Sequence, residues 1–314
     1  METPRHEPIL LQEVIEYLNC QPNRTYVDGT VGSGGHAGAI LDKSSPAGRL
    51  IGLDWDEEAI QRARKNLASF GKRMELVKSN YKDLGSVLET LSIRTVDGIL
   101  LDLGVSTEQL EDGGRGFSFL RDGPLDMRMN REIRTTAQEL LRRLSPVEMS
   151  RIFHLYGEER FANRIAKGIA HQRQTSPLRT TGDLVDVIKK NLPSHSGRIH
   201  PATRAFQALR IAVNEEIENL QTFLGRSKDF LNPGGRLVII SFHSLEDRAV
   251  KNYFRQWAKG EEGIPPSFRV LTPKPVMASS AEVLDNPKAR SAKLRAVEKL
   301  FGNTKGRENG RGDL

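Results

Sequence analysis

The stretch Thr25–His36, which reads TYVDGTVGSGGH, decides the fold class of this sequence. It opens as a short β-prone run ending in Asp28, and a turn containing Gly32, Gly34 and Gly35 separates that run from a predicted helix. Glycines in such a turn let the backbone bend sharply and let a ligand approach it closely. A strand, a glycine-rich turn and a helix in this order are typical of the first unit of a nucleotide-binding sheet. An ordinary glycine turn gives the same pattern, so the motif needs support from its surroundings.

The alternation of strand and helix continues beyond this stretch. Apolar runs predict strands at 49–54, 74–78 and 96–102, and a helix is predicted over 57–70. A further strand is predicted at 237–242, directly after a Pro-Gly-Gly turn. Strands that alternate with helices need crossover connections, which predicts an α/β fold with a mostly parallel sheet.

A long interval without predicted strands interrupts this pattern after Asp102. Successive strands of a parallel sheet usually lie about 30–45 residues apart, whereas the next strand here is about 135 residues away. The interval holds a Gly- and Arg-rich segment followed by a series of predicted helices. We therefore predict a discontinuous sheet domain formed by 1–109 and 206–301, with an inserted helical domain at 110–205. The Gly-rich, charged tail at 302–314 is predicted to be disordered.

The composition narrows the class of protein. The 314 residues include 47 Lys and Arg against 40 Asp and Glu, a formal net charge of +7. This mild excess favours a polyanionic partner such as nucleic acid without requiring one. No apolar run is long enough to span a membrane and the start lacks a signal-peptide core, so we predict a cytoplasmic protein. The single cysteine, Cys20, excludes an intramolecular disulfide framework and a zinc site built from clustered thiolates.

Three aspartates are predicted to meet at one edge of the sheet. Asp28, Asp54 and Asp102 each end a predicted strand, and the carboxyl ends of parallel strands border one crevice. Asp54 lies about 20 residues after Gly34, where an acid can hydrogen-bond both hydroxyls of a ribose. Converging carboxylates suit a cation better than a diphosphate, which favours S-adenosylmethionine over a nicotinamide dinucleotide. Two alternatives stay open. In the first, individual aspartates only cap the helices that follow them. In the second, the protein is an NAD-dependent oxidoreductase.

Asp102 is the candidate catalytic residue. To methylate an exocyclic amine, an enzyme must draw the nitrogen lone pair out of conjugation with the ring. A carboxylate that accepts a hydrogen bond from the amine does this. The segment Asp102-Leu103-Gly104-Val105-Ser106 follows a strand, at the place where methyltransferases of this fold hold the methyl acceptor. A buried carboxylate that only orders its loop is the alternative.

These residues resemble those of the bacterial MraW/RsmH family, the small-subunit ribosomal RNA cytosine-N4 methyltransferases. The resemblance runs from His6 to about Glu298 and is carried by many blocks in order. The blocks are Asp28-Gly29-Thr30, Gly34-Gly35-His36, Leu101–Ser106, Gly116–Phe119, Gly123–Met129, His200–Ile211, Ser241–Arg248 and Asn286–Ser291. The resemblance implies a Rossmann-like class I methyltransferase sheet with an inserted, mostly helical second domain. It also implies methylation, from S-adenosylmethionine, of one cytidine in the decoding region of 16S rRNA in the small ribosomal subunit.

The resemblance further implies which residues bind the cofactor. Carried over by position, they are Gly34, Gly35, His36, Asp54, Tyr81, Asp102 and Gln109. Tyr81 stands where the family more often has phenylalanine, and it keeps an aromatic face for adenine. The family lacks the Asp/Asn/Ser-Pro-Pro-aromatic motif of other amino-methyltransferases, and so does this sequence. The catalytic assignment of Asp102 therefore rests on its position and chemistry.

Basic and aromatic residues around the inserted region are candidate RNA contacts, because arginine pairs with phosphates and aromatic rings stack on extruded bases. The candidates are Arg115, Phe117, Phe119, Arg121, Arg128, His200, Arg204 and His243. A solvated basic loop with two core phenylalanines is the alternative. His243 and Asp247 have the spacing of a metal pair, but no third ligand lies nearby in the sequence, so we predict no metal site.

A third hypothesis is a non-catalytic RNA-binding factor for ribosome assembly that kept the fold, and only a turnover assay separates it from an enzyme. A thermal-shift comparison of S-adenosylhomocysteine with NAD separates the methyltransferase from the oxidoreductase. The sequence is compatible with a homodimer but does not determine the oligomeric state.

Overall fold

The computed structural model describes residues 8–193, 200–260 and 265–301. The tail predicted at 302–314 lies outside the described residues. The strands are β1 Thr25–Asp28, β2 Arg49–Asp54, β3 Met74–Lys78, β4 Val96–Asp102, β5 Leu231–Ser241, β6 Phe268–Val270, β7 Val276–Met277 and β8 Lys293–Lys299. The helices are α1 Leu11–Leu18, α2 Gly35–Lys43, α3 Glu57–Asn66, α4 Leu84–Thr90, α5 Thr107–Glu111, α6 Ala137–Arg143, α7 Pro146–Gly157, α8 Ala162–Thr175, α9 Thr181–Asn191, α10 Thr203–Asn214, α11 Glu216–Ser227, α12 Ser244–Lys259 and α13 Ser280–Asp285.

The chain forms two compact units. The first, called here the sheet unit, comprises the residues up to Leu103 and those from Leu220 onward, and the second, the helical unit, comprises Gly104–Asn219. The predicted sheet domain ends at 109 and resumes at 206, whereas the sheet unit ends at Leu103 and resumes at Leu220, differences of 6 and 14 residues. The C-terminal boundary moves because α10 carries Ala205, Phe206 and Leu209 in the apolar core of the helical unit.

The sheet has the strand order β3-β2-β1-β4-β5-β8-β6, and β7 also pairs with β8. The first five strands pair in parallel, as the sequence predicts, whereas β8 runs antiparallel to β5 and to β6 and β7. β5 begins at Leu231, before the predicted start at residue 237. Its pairing with β4 shifts register around Pro233–Gly235, so the predicted Pro-Gly-Gly turn is an irregularity within a longer strand.

The register of β1 places the three predicted aspartates together. Asp28 pairs with Gly52 on β2 and with Leu100 on β4, so Asp54 and Asp102 each lie two residues beyond its partners. Side chains two residues apart on a strand point to the same face of the sheet. The three carboxylates therefore project from one face at the carboxyl edge of the sheet unit.

Apolar layers cover both faces of this sheet. Leu100 belongs to the layer formed with α1, α2 and α3, while Ile99 and Leu101 belong to the layer formed with α4, α11 and α12. Strands buried on both faces read as continuous apolar runs rather than alternating ones. That is why the parallel strands were predictable, and why their charged ends stand out.

The helical unit has its own core. Met149 and Phe153 of α7 pack with Ile165 of α8, Ile188 of α9 and Phe206 of α10. Among its described residues, the helical unit has no strand beyond an isolated bridge between Pro124 and Thr180. None of the helices in the described ranges combines the length and the apolar character needed to cross a membrane.

Candidate active site

The turn after β1 needs glycine at two of the predicted positions. Gly34 has φ 94°, a left-handed conformation that side chains rarely adopt, and it is the N-cap of α2. A Cβ atom at Gly35 would lie 2.4 Å from Cγ of Pro8. The Pro8 ring therefore packs against the start of α2 at a distance that only glycine leaves open.

Asp54 is held by two backbone amides at the end of β2. Its Oδ2 accepts the N–H of Gly32 at 2.9 Å and its Oδ1 accepts the N–H of Asp56 at 2.9 Å. Burial raises the pKa of Asp54 to about 6, against the opposing effect of those two amides. Each carboxylate oxygen keeps a second lone pair, so the group is oriented and can still accept two hydroxyl donors.

Asp28 is buried at the end of β1, with 1% of its surface exposed. Its Oδ1 accepts the N–H of Thr30 at 3.1 Å. Burial, followed by repulsion from Asp54, raises the pKa of Asp28 to about 7. The hydroxyl of Thr30 in turn accepts the N–H of Asp102 at 2.7 Å, which ties the turn after β1 to the end of β4.

Of the three carboxyl groups, that of Asp102 has the fewest hydrogen-bond partners. Its Oδ1 is buried and has no hydrogen-bond partner among the described residues, while its Oδ2 lies 3.7 Å from Nδ1 of His36. Burial, followed by repulsion from Asp28 and Glu246, raises the pKa of Asp102 to about 8. An orphaned carboxyl oxygen costs free energy in a folded protein, so this oxygen is poised for a ligand or a substrate.

His36 is buried on the first turn of α2. Its Nε2 lies 3.0 Å from the carbonyl oxygen of Ile9, and because a carbonyl only accepts, Nε2 carries the proton. Burial lowers the pKa of His36 to about 4. The imidazole is therefore neutral near pH 7, and it does not balance the charge of the neighbouring acids.

The charge pattern of this edge fits a cationic ligand. Within the part of the chain that the structure describes, none of Asp28, Asp54 and Asp102 forms an ion pair with a lysine or arginine. A diphosphate would meet repulsion here, whereas the sulfonium and ammonium groups of S-adenosylmethionine would be attracted. If the three aspartates only capped the helices that follow them, Asp102 Oδ1 would accept a backbone N–H. Among the described residues it has no such donor.

Comparison with known proteins identifies the family. The model of the MraW methylase family matches residues 3–300. The chain belongs to the MraW methylase family. A relative from Geobacter sulfurreducens, named Ribosomal RNA small subunit methyltransferase H, is 50% identical over 307 residues, covering 94% of this chain and 99% of the relative. A relative of the same name from Heliobacterium modesticaldum is 48% identical, covering 94% of this chain and 98% of the relative.

Similarity to solved structures is weaker. An S-adenosylmethionine-dependent O-methyltransferase from Thermotoga maritima is 9% identical with a TM-score of 0.43, covering 96% of this chain and 69% of that one. The predicted family is confirmed by the family match and the curated relatives. This MraW methylase is therefore a methyltransferase with S-adenosylmethionine as its cofactor.

The remaining predicted cofactor contacts lie in different units of the methylase. Tyr81 follows β3 and is thus at the carboxyl edge of the sheet unit, where its ring meets Phe223 edge-on at 5.7 Å between centroids. Gln109 lies in the helical unit, buried on α5. There it forms a capping box with Ser106, accepting the Ser106 N–H at Oε1.

Three of the predicted RNA contacts are structural in the helical unit. Arg115 is 2% exposed and donates to the carbonyl oxygens of Arg128 and Met129. Phe117 is part of the apolar core. Arg128 makes a two-point ion pair with Asp126 and also donates to two backbone carbonyls. Arg115 and Phe117 are buried and Arg128 is partly exposed, and all three side chains support the Gly- and Arg-rich segment from within the helical unit.

The other candidates in the helical unit are more accessible. The rings of Phe119 and His200 stack with centroids 4.4 Å apart and planes within 10°, and both residues are partly exposed. Arg121 is exposed and donates to the carbonyl of Glu111. Arg204 is half-buried on α10, and its side chain makes no ion pair within the described ranges. Leu120, between Phe119 and Arg121, is 83% exposed.

His243, the last RNA candidate, belongs to the sheet unit. It is the N-cap of α12, and its Nδ1 accepts the N–H of Glu246 at 3.4 Å. Glu246 completes the capping box by accepting the N–H of His243. Asp247, which has the spacing of a metal pair with His243, binds Arg295 at 2.6 Å and Lys293 at 3.6 Å. His243 and Asp247 therefore serve different local interactions.

The sequence reasoning missed contributors to this site. Thr30 and Glu246 shape the surroundings of Asp102, yet neither residue type stood out in its segment. Ile9 offers only a backbone carbonyl, which no sequence pattern reveals. Asp28 was predicted to converge with the other acids but was not included among the cofactor contacts.

Proposed function

We propose that this methyltransferase modifies the exocyclic N4 amine of one cytidine in the decoding region of 16S ribosomal RNA. Membership of the MraW methylase family and the name Ribosomal RNA small subunit methyltransferase H, which both relatives share, support a small-subunit RNA substrate. The observation that carries the amine target is the buried, unpartnered Oδ1 of Asp102 at the carboxyl edge of β4. An amine N–H is the kind of donor that this oxygen lacks.

The residues at the carboxyl edge would hold the cofactor in distinct ways. Asp54 would accept the ribose hydroxyls, and Tyr81 would provide an aromatic face for adenine. The turn at Gly34 and Gly35 would let the backbone approach the ligand, while the carboxylates favour its positive charges. When bound, S-adenosylmethionine supplies a methyl group activated by a positively charged sulfur.

Asp102 would prepare the amine nitrogen. By accepting a hydrogen bond at Oδ1, it draws the nitrogen lone pair out of conjugation with the pyrimidine ring. As the nitrogen gains its bond to carbon it must give up one proton, and that proton passes to water. The hydrogen bond at Oδ1 acts by orienting the nitrogen lone pair, and such alignment of the reacting atoms supplies a large share of the rate.

The state of Cys20 favours the amine over carbon 5 of the ring. Methylation at carbon 5 generally uses a cysteine thiolate that adds to carbon 6. Burial raises the pKa of Cys20 to about 12, so this thiol stays protonated at neutral pH. Cys20 also packs against the apolar layer beside α1. No other cysteine exists in the sequence.

The helical unit would contribute RNA contacts. The Phe119–His200 stack offers an aromatic surface for a base, and stacking of a base on an aromatic side chain is worth about 1–3 kcal/mol. Arg121 and Arg204 would pair with phosphates, the usual partners of arginine in RNA complexes. We assign the RNA-recognition role to these four residues. The protein would act in the cytoplasm, where ribosomal subunits are assembled.

The decisive experiment is a product analysis. The protein is incubated with labelled S-adenosylmethionine and small subunits that lack the modification, and the labelled nucleoside is identified by mass spectrometry after digestion. The expected product is N4-methylcytidine. Label in 5-methylcytidine would contradict the amine mechanism, and RNA binding without turnover would support the non-catalytic assembly factor instead. Subunits that already carry the modification serve as the control and should accept no label.

A further inference from the structure

His36 presents a fixed lone pair to the catalytic carboxyl group. Because Nε2 donates its proton to the carbonyl of Ile9 at 3.0 Å, Nδ1 of the neutral ring is unprotonated. That Nδ1 lies 3.7 Å from Oδ2 of Asp102. His36 can therefore accept a hydrogen bond from Asp102 but cannot donate one to it.

The backbone that sets this tautomer is itself anchored. The N–H of Leu10 donates to Oε1 of Glu282 at 2.7 Å, and the Leu10 carbonyl accepts the N–H of Val14. Leu10 is 1% exposed and has φ 55°, a left-handed conformation that the surrounding contacts must stabilise. Pro8 lies against Gly35 at the start of α2. Residues 8–10 thus keep the Ile9 carbonyl in place beside His36.

The groups that face Asp102 favour its protonated form. Asp28 approaches from β1 and Glu246 from α12, and both repel a second negative charge, while His36 faces it from α2. A protonated carboxyl group has one oxygen that donates and one that only accepts. Only an oxygen that accepts a hydrogen bond can orient the substrate amine. Whether Asp102 can do so therefore depends on which of its two oxygens carries the proton.

We propose that His36 is a positioning residue whose Nδ1 accepts the Oδ2–H of Asp102, so that Oδ1 stays an acceptor for the substrate amine. The inference rests on the proposed function, because it assigns the amine to Oδ1. The 3.7 Å separation exceeds a hydrogen bond by about 0.5–1 Å. A small rotation of the carboxyl group closes it, and catalytic hydrogen bonds commonly tighten when substrate binds.

Two substitutions of His36 test the roles of its two ring nitrogens separately. His36→Asn places an amide oxygen near the position of Nδ1 and keeps an acceptor for Asp102, but it loses the donor to Ile9. His36→Gln places an amide nitrogen near the position of Nε2 and keeps that donor, but it loses the acceptor. The assay measures kcat from pH 6 to pH 9 at saturating S-adenosylmethionine and RNA, which separates turnover from cofactor affinity.

We expect kcat to vary little with pH across this range in the wild type. The pH profile of His36→Asn should be equally flat, at a lower kcat throughout, because the bond to Ile9 is lost. His36→Gln should be about 10- to 100-fold slower near pH 6.5 and should recover as the pH passes about 8, where Asp102 loses its proton. The inference is overturned if His36→Gln follows the wild-type pH profile, or if both variants are impaired with the same profile.

A measurement without turnover tests the same inference independently. Nitrogen-15 spectra of the cofactor-free wild type should show His36 as the Nε2–H tautomer, still neutral at pH 6. In Glu282→Ala, where the anchor of Leu10 is lost, a mixture of tautomers is expected, whereas Glu282→Gln keeps an acceptor and should match the wild type. An Nδ1–H tautomer in the wild type would overturn the inference. Failure of the proposed function would instead appear as absence of N4-methylcytidine with the tautomer unchanged.

Discussion

Replacing Asp28 with asparagine is expected to stabilise the protein while weakening its hold on the cofactor. Asp28 is 1% exposed, and burial raises its pKa from 3.8 to about 7. One pKa unit corresponds to about 1.36 kcal/mol, so the ionised carboxylate costs on the order of 4 kcal/mol. Asparagine has nearly the same shape and keeps an oxygen that can accept the N–H of Thr30, so it removes the charge without creating a cavity.

The stability gain should depend on pH in a defined way. An acid with a higher pKa in the folded than in the unfolded state carries no penalty below its unfolded value near 4. The wild type then loses stability as the pH rises from about 4 to about 7, and the loss is constant above that. The difference between Asp28→Asn and wild type should therefore be small at pH 4.5 and reach at most about 4 kcal/mol at pH 8.

Urea unfolding at pH 4.5, 6, 7 and 8 measures this difference as the change in the free energy of unfolding. Asp42→Asn, at an exposed aspartate on α2, is the matched control and should leave the pH dependence unchanged. Calorimetry should show that Asp28→Asn loses more affinity for S-adenosylmethionine than for S-adenosylhomocysteine, which lacks the sulfonium charge. A variant that is equally destabilised at every pH, or a loss that is equal for both ligands, would refute the reasoning.

Further substitutions test the other parts of the site. Asp54→Ala should cost about 2–3 kcal/mol of S-adenosylmethionine binding because the ribose hydroxyls lose their acceptor, and unchanged affinity by calorimetry would contradict that role. Asp102→Ala should lower kcat about 100-fold or more at saturating cofactor, because the amine then has no acceptor, and near-normal turnover would remove Asp102 from the chemistry. Cys20→Ser should retain near-normal activity, since the Cys20 thiol is protonated at neutral pH; a folded but inactive variant would argue against amine methylation. Phe119→Ala should weaken RNA binding about 10-fold without changing cofactor affinity, and an unchanged filter-binding curve would exclude the stacking role.

The parallel half of the sheet was predictable because its signals are local. β1, β2 and β4 are apolar runs that end in an aspartate, and one window of sequence shows both features. β8 was missed because KLRAVEK alternates charged and apolar residues and reads as a solvated basic stretch. Its charges are matched by distant partners, Arg295 with Asp247 and Glu298 with Arg236, and those pairs exist only in the folded chain.

The helical unit also contains features that local sequence does not reveal. The segment 203–231 reads in sequence as one helix, but the chain breaks it at Glu215, which has φ 51° between α10 and α11. At that break Asn214 accepts the N–H of Met129 and donates to the carbonyl of Met127. Arg115 likewise reads as an RNA contact in sequence but donates to backbone carbonyls inside the unit. Local sequence does not distinguish an arginine that holds a loop from one that meets a phosphate.

The pairing of β4 with β5 has a consequence for folding during synthesis. These strands are neighbours in the sheet, yet the whole helical unit lies between them in the chain. β4 emerges from the ribosome well before β5, at a pace of about 5–20 residues per second, and until then one of its edges has no strand to pair with. An unpaired edge strand is prone to join other chains. The helical unit has an apolar core of its own, so it can fold in that interval, while the sheet must wait for β5 and finally β8. Slowing translation between β4 and β5 should therefore lengthen the period in which the nascent chain is vulnerable to aggregation.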